Sequence, residues 1–487
     1  MSLLLLLLLS VTTFHKSLSS NDHKFVQCNE KDEETLLFFK KGINDSSHGK
    51  ISTWLTEKDC CTWEGVHCDN VTGRVTELDL HDQNLAGEIN LSILKLEFLS
   101  YLDLCENEFD VLNIPATLHN FTHPSSLFYL DLSSFAFLDS GSTLHMDNLD
   151  WLSPFSSLKY LNLSGIDLHK ETNWLQAVNT LPSLLDLQLS DCNLNNFIIN
   201  PSIEFSNLSS LVTLDLSRNN ITSQLKNLFF NITKDLTYLN LLGNNIYGEI
   251  PPSLQNLQNF RHLDLSWNQL QGSIPYGIGQ EYSVDYINPN RTIIDLSANN
   301  LSGEVPLELF QLVQLQTLNL SHNNFIGTIP KMIGGMKKME SLDLSNNKFC
   351  GEIPQSMSLL NFLSYLNLSY NNFDGKIPIG TQLQGFDASY IGNPKLCGAP
   401  LNNCTTKEEI PETATSPKNE DGGSIRESLY QGMGVGFAAG FWGICGSLFL
   451  IRKWRHAFYR FVDGVGDKLY VTLMVIMQIA ELLGRQH

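Results

Sequence analysis

A Leu-x-Leu core recurs along most of the chain, anchored at Leu78, Leu102, Leu130, Leu161, Leu187, Leu214, Leu239, Leu263, Ile294, Leu318, Leu342 and Leu366. The spacings are 24, 28, 31, 26, 27, 25, 24, 31, 24, 24 and 24 residues. A period of this length means one small unit stacked on copies of itself, rather than the roughly three ordinary domains suggested by length. The fullest copies read L-x-x-L-x-L-S-x-N-x-(L/F)-x-G-x-I-P, as from Leu315 to Pro330. Alternating leucines turn every second side chain inward on a short strand, so stacked copies pair into a parallel sheet. At roughly 4.8 Å per strand, twelve copies give a curved solenoid on the order of 55 Å long, whose two ends both need caps. Asn219, Asn244, Asn268, Asn299, Asn323, Asn347 and Asn371 each fall where a side-chain amide can satisfy backbone groups as the chain leaves the sheet.

The ends of the chain differ from this pattern. Leu3 to Leu9 are seven consecutive leucines followed by Ser17-Leu18-Ser19, which reads as a secretory signal peptide over 1–19. No charged residue occurs between Glu427 and Arg452, and an apolar run over 429–451 is long enough to cross a bilayer as a helix. Arg452, Lys453, Arg455 and Arg460 follow it, whereas the linker over 405–428 carries Glu408, Glu409, Glu412, Glu420 and Asp421. The positive-inside rule then places 452–487 in the cytoplasm and the N-terminus outside, a single-pass plasma-membrane topology. With 31 basic and 51 acidic residues the formal net charge is −20, which excludes nucleic acid as a partner for the bulk of the chain.

The repeat and its flanks carry a resemblance. The pattern is that of the leucine-rich repeat, an α/β solenoid with its parallel sheet on the concave face, expected over 74–390. The G-x-(I/V)-P element at Gly248–Pro251, Gly272–Pro275, Gly303–Pro306, Gly327–Pro330, Gly351–Pro354 and Gly375–Pro378 is similar to the plant-specific variant. An N-terminal cap over 20–73, with Cys28, Trp54 and Cys60-Cys61-Thr62-Trp63-Glu64-Gly65-Val66-His67-Cys68, resembles the plant cap domain. Gly392 to Leu401 with Cys404 resemble the matching C-terminal cap over 391–404. Together with Gly440-Phe441-Trp442-Gly443, Trp454-Arg455 and Leu469-Tyr470-Val471, these features resemble plant receptor-like proteins of the fungal-xylanase receptor group.

The resemblance implies a receptor without a kinase of its own, which binds an extracellular ligand, commonly microbial, and signals through an adaptor receptor-like kinase and a co-receptor kinase. It also implies disulfides pairing Cys28 with Cys60, Cys61 with Cys68 and Cys397 with Cys404, suited to an oxidising exterior. A zinc site is the rival reading of the close cysteines, but C-C-x6-C lacks the usual C-x2-C spacing, and no metal or cofactor is expected. Cys105, Cys192 and Cys350 occupy repeat positions usually held by Ser or Asn and read as unpaired. The resemblance is incomplete in two respects. Twelve copies are fewer than the family usually carries, and Glu281-Tyr282 through Arg291 is only a remnant of the island that normally interrupts the array.

Candidate sites follow from repeat position. Tyr101, Tyr129 and Tyr160 share one position in three successive copies and could form an aromatic ladder on the concave face, with Arg261, His262, Asp264 and Trp267 clustered in a later copy. The bland alternative is that tyrosine suits a strand surface. Asp79, Asp103, Asp131, Asp215, Asp264, Asp295 and Asp343 recur between leucines, and repeat grammar explains them better than a cationic ligand does. Gly432, Gly436 and Gly440 lie on one face of the expected span and suit close approach of a partner helix. Tyr459 and Tyr470 open Y-x-x-Φ matches of the endocytosis type, a weak pattern. Thirteen N-x-S/T sequons, at Asn44, Asn70, Asn90, Asn120, Asn162, Asn207, Asn220, Asn231, Asn290, Asn300, Asn319, Asn367 and Asn403, all precede the span as glycosylation candidates.

An enzyme finds no support, since no G-x-S-x-G, H-E-x-x-H or paired-carboxylate constellation stands apart from the repeat grammar. The reading adopted is a ligand-binding cell-surface receptor in defence or development. The alternatives are a truncated decoy or non-signalling paralogue, and a wall-associated inhibitor of polysaccharide-degrading enzymes.

Overall fold

The computed structural model describes residues 26–45, 49–115, 125–134, 144–195, 206–226, 235–256, 260–277, 292–380 and 382–404. The expected signal peptide, membrane span and tail, with Gly432, Gly436, Gly440, Tyr459 and Tyr470, lie outside them. So does the island remnant, Glu281 through Arg291. Among the described residues no helix is long and apolar enough to cross a membrane.

All twelve Leu-x-Leu cores become strands of one sheet of 13 strands. Each anchor pairs in parallel with the next, from Leu78 with Leu102 through Leu342 with Leu366. The thirteenth strand, Val66–Cys68, pairs antiparallel with Val75–Asp79 and closes the N-terminal edge. Every anchor side chain is at most 2% exposed, so the leucines stack into a continuous column that no copy could bury alone.

Between strands the chain turns on a ladder of asparagines. The Asn323 amide donates to Leu296 O at 2.9 Å, Leu320 O at 3.2 Å and Ser321 O at 3.1 Å, while its oxygen accepts from Leu301 N at 3.0 Å. One side chain thereby satisfies backbone groups of two successive copies in a region without regular pairing. The other six asparagines do the same, joined by two outside the seven, Asn107 and Asn393. Asn393 belongs to the C-terminal cap, which extends the ladder one rung beyond the last repeat. Cys192 stands at a rung position and its thiol donates to Leu163 O. The residue before the rung is left-handed throughout, whether glycine, as at Gly243, or not, as at Arg218, Trp267, Ala298, His322 and Tyr370.

The G-x-I-P element builds a second parallel sheet on the flank. It runs through Tyr247–Glu249, Gln269–Gly272, Asn300–Glu304 and Asn324–Ile326, and another run joins Cys350–Glu352, Asn372–Lys376 and Lys395–Cys397. Glycine is required at Gly375, where φ is +77° and a Cβ would come within 2.9 Å of Glu352 Cγ. Behind this sheet Phe325, Phe349 and Phe373 form a buried spine with centroids 6.3 and 6.2 Å apart.

The convex side departs from the α/β expectation. Among the described residues only Glu30–Lys40 and Trp174–Val178 are α-helical, and the turns opposite the strands are 3-10, as at Leu307–Gln311, Lys331–Gly335 and Gln355–Leu359. Pro306, Pro330 and Pro354 start these turns, and five residues are too few to propagate an α-helix.

At the N-terminal cap, helix Glu30–Lys40 begins on Asn29, whose side chain accepts from Lys31 N, and it buries Leu36 and Phe39. Asp32, 2% exposed, receives Arg74 at 2.9 and 3.1 Å and the Val75 amide at 3.0 Å, which ties the helix to the first repeat strand. Trp54 and Trp63 stack beneath it at 5.3 Å. Cys28 is bonded to Cys60, Cys61 to Cys68, and Cys397 to Cys404 at the far end, with Cα separations of 5.6, 5.5 and 5.0 Å.

Candidate binding face on the concave sheet

Parallel in-register pairing carries one strand position directly onto its equivalent in the next copy. Tyr101 pairs with Tyr129 and Tyr129 with Tyr160. Their rings stack at 4.3 Å in both steps, with interplanar angles of 12° and 3°. In the same row, past Asp186 and Thr213, Tyr238 stacks on His262 at 4.3 Å. The sequence reading missed Tyr238, although its Tyr-Leu-Asn core repeats that of Tyr160.

The acidic row beside the rings is largely satisfied from within. Tyr160 Oη and the Asn162 amide both donate to Asp131 of the preceding copy, at 3.1 and 3.0 Å. Tyr365 and Asn367 do the same to Asp343, at 3.1 and 3.3 Å, and the Asn240 amide reaches Asp215 at 3.1 Å. Tyr101 Oη donates to Asp103 of its own strand at 3.1 Å. These carboxylates fix tyrosine orientation, which fits repeat grammar better than a cation-binding role. Burial first, and then the neighbouring carboxylates, push the Tyr101 phenol far above its usual pKa, so it remains a donor. Burial likewise raises the Asp131 and Asp264 carboxyls and lowers the His262 imidazole.

The residue immediately before the tyrosine position adds exposed apolar surface in two copies. There Phe128 is 43% exposed and Leu185 41% exposed, each one residue ahead of a strand of the row, Tyr129–Asp131 and Asp186–Gln188. The only sequence signal for them is a large apolar residue where other copies carry Ser100, Lys159 or Thr237. Arg261 and His262 share the strand neighbourhood foreseen for them. Trp267 stands apart: it lies past the end of strand His262–Asp264, in the left-handed turn position with φ +54°, and is 68% exposed. Asp103, Cys105 and Asp131 also converge within 4.8 Å of one another, but their carboxylates already hold Tyr101, Tyr160, Ser133 and Asn162.

With this geometry in place, comparison with known proteins defines the class. Residues 29–69 match the leucine rich repeat N-terminal domain, residues 313–356 match two copies of the leucine-rich repeat, and further single copies match at 210–232, 235–257, 259–280 and 362–382. The chain carries leucine-rich repeats, and it resembles the plant leucine-rich-repeat receptor-like proteins. It is 35% identical over 273 residues to receptor-like protein EIX1 of Solanum lycopersicum, covering 50% of this chain and 26% of that one. To EIX2 of the same plant it is 32% identical over 316 residues, covering 59% of this chain and 30% of the relative. The chain thus spans less than a third of either relative. Among solved structures it is similar to the ectodomain of the Arabidopsis thaliana receptor kinase GASSHO1/SCHENGEN3, solved with CASPARIAN STRIP INTEGRITY FACTOR 2. That match has 28% identity and a TM-score of 0.47, over 67% of this chain and 45% of that one.

Proposed function

We propose that this protein is a cell-surface receptor-like protein that binds an extracellular peptide, protein or glycan on its concave sheet and signals through a partner receptor kinase. The observation carrying the reading is the in-register stack Tyr101–Tyr129–Tyr160 with exposed Phe128 and Leu185 beside it. Rigid aromatic surface next to apolar side chains supplies binding area at low entropic cost, as interface anchors do. The named relatives support a receptor role over a catalytic one. The span expected around Gly432, Gly436 and Gly440 supplies the route to the kinase.

The test uses the full tagged chain in plant membranes exposed to microbial culture filtrates and to peptide fractions from the cell wall, scored for co-precipitated receptor kinase. A ligand-dependent increase in kinase capture is expected, cut at least tenfold by Phe128→Asp with Leu185→Asp, surface changes that leave the fold near its original stability. Changing Gly432, Gly436 and Gly440 to Leu should abolish capture with or without ligand. Full response in the Phe128/Leu185 double variant would remove the concave face from the proposal.

A further inference from the structure

The sequons divide into two chemical classes. Asn162, Asn319 and Asn367 lie within sheet strands, in Leu-Asn-Leu-Ser phrases. Each amide nitrogen donates to a carboxylate of the preceding copy: Asn162 to Asp131 at 3.0 Å, Asn319 to Asp295 at 2.8 Å and Asn367 to Asp343 at 3.3 Å. Each amide oxygen accepts from the backbone of the serine two residues on. Asn162 is only 8% exposed. A glycan in place of the donated hydrogen would occupy the space of the carboxylate, and at Asn162 and Asn367 it would also displace the tyrosine hydroxyl bonded to that carboxylate.

Asn220 and Asn300 are placed otherwise. Both directly follow a ladder asparagine, Asn219 and Asn299, so they repeat one position on the flank where the chain has left the concave strands, and both are exposed. The Asn220 amide donates to the exposed Asn193, and the Asn300 oxygen accepts from the Asn324 amide. Asn44, Asn70 and Asn403 are exposed on the two caps. Asn120, Asn231 and Asn290 lie outside the described residues, Asn207 lies in the turn Ser206–Ser210, and Asn90 caps the turn Leu91–Lys95 through its side chain.

We infer that N-glycans are carried at Asn44, Asn70, Asn220, Asn300 and Asn403 and excluded from Asn162, Asn319 and Asn367, which leaves the concave strand row free of sugar. The inference rests on the exterior reading proposed above, since only a chain that enters the secretory pathway meets the glycosylating enzyme. Attachment precedes folding, so exclusion operates by selection: chains modified at a strand asparagine cannot close that copy.

The experiment maps glycopeptides of the full chain purified from plant cells, using peptide N-glycosidase in heavy-oxygen water to mark each occupied asparagine as labelled aspartate. A second arm places a heterologous secretory signal ahead of the full chain. Label at the five exposed sites with at least tenfold lower occupancy at Asn162, Asn319 and Asn367 is the expected result. Label at any of the three strand sites comparable to Asn300 overturns it, as does absence of label from the five sites in the directed arm. Label in the directed arm alone sinks the exterior reading while the sorting stands. Because Asn162→Gln could unfold its copy, Ser164→Ala removes that sequon and keeps the amide. It should leave electrophoretic mobility unchanged, whereas Ser302→Ala should shift it by one glycan.

Discussion

At the residue scale, most of the specificity of this fold is carried by amides that reach both their own copy and the preceding one. The ladder asparagines are buried or nearly so, and each oxygen accepts from a backbone N–H of the preceding copy, as Asn323 does from Leu301 and Asn347 from Phe325. Asn323→Ala would leave the Leu301 N–H without its acceptor, while Leu296 O, Leu320 O and Ser321 O keep donors in Asn299, Asn347 and the Ala298 N–H, at a cost of about 2 kcal/mol. Its half-buried neighbour Asn324, whose side chain bonds to Asn300, should tolerate alanine within about 0.5 kcal/mol. Denaturant unfolding of the two variants side by side reads the difference, and equal costs would mean that the ladder bond is replaceable by water. The rung motif S-x-N made six of these residues legible from sequence, and spacing from its Leu-x-Leu core gave Asn244. Asn107 escaped because its copy reads Cys-Glu-Asn, and Asn393 because it lies past the last Leu-x-Leu core.

At the scale of elements, the join between the cap helix and the first strand is the contact most exposed to single-residue failure. Asp32 and Arg74 are 42 positions apart, and both are withdrawn from solvent, with side-chain exposures of 2% and 15%. Asp32→Ala would leave the guanidinium with the partly exposed Glu97 as its carboxylate partner and the Phe98 ring beneath it, and Val75 N–H without its acceptor. Breaking one side of such a buried pair costs roughly 3–5 kcal/mol. Amide exchange should then quicken across Glu30–Lys40 and Val75–Asp79 while strands near Leu263 keep their protection. Adding Arg74→Met to Asp32→Ala should return part of the loss, since the unpaired buried charge is gone. The tyrosine ladder shows the same scale of organisation, because its stacking follows from strand register and its orientation from carboxylates one copy away.

At the scale of the whole array, stability is a sum of copies and nearest-neighbour interfaces, so the ends govern fraying. The last sheet strand, Tyr365–Asn367, is followed by a cap in which Leu368 N donates to Ser389 O and Tyr370 N to Ile391 O, both at 2.7 Å. The strand Lys395–Cys397 then adds to the flank sheet beside Asn372–Lys376. Replacing Cys397 and Cys404 by serine removes a short closed loop worth about 2 kcal/mol by the chain-entropy estimate. Exchange protection should fall first in Lys395–Cys397 and Asn372–Lys376, with the central copies unchanged. Uniform loss along the array would show instead that it unfolds as one cooperative block.

The sequence by itself determined the twelve-strand sheet, its register, the rung positions and the solenoid class. Each is a local pattern copied at a nearly fixed period, and parallel stacking carries every position onto its equivalent. Tertiary structure alone decided what crosses between copies or departs from the period. Tyr160 and Asn162 converge on Asp131 about thirty residues earlier, Phe128 and Leu185 remain uncovered, and Trp267 leaves the strand face because its backbone turns left-handed. Identical sequons end in opposite chemical states for the same reason: a three-residue motif cannot say whether its amide will find a carboxylate in the preceding copy or open solvent on the flank.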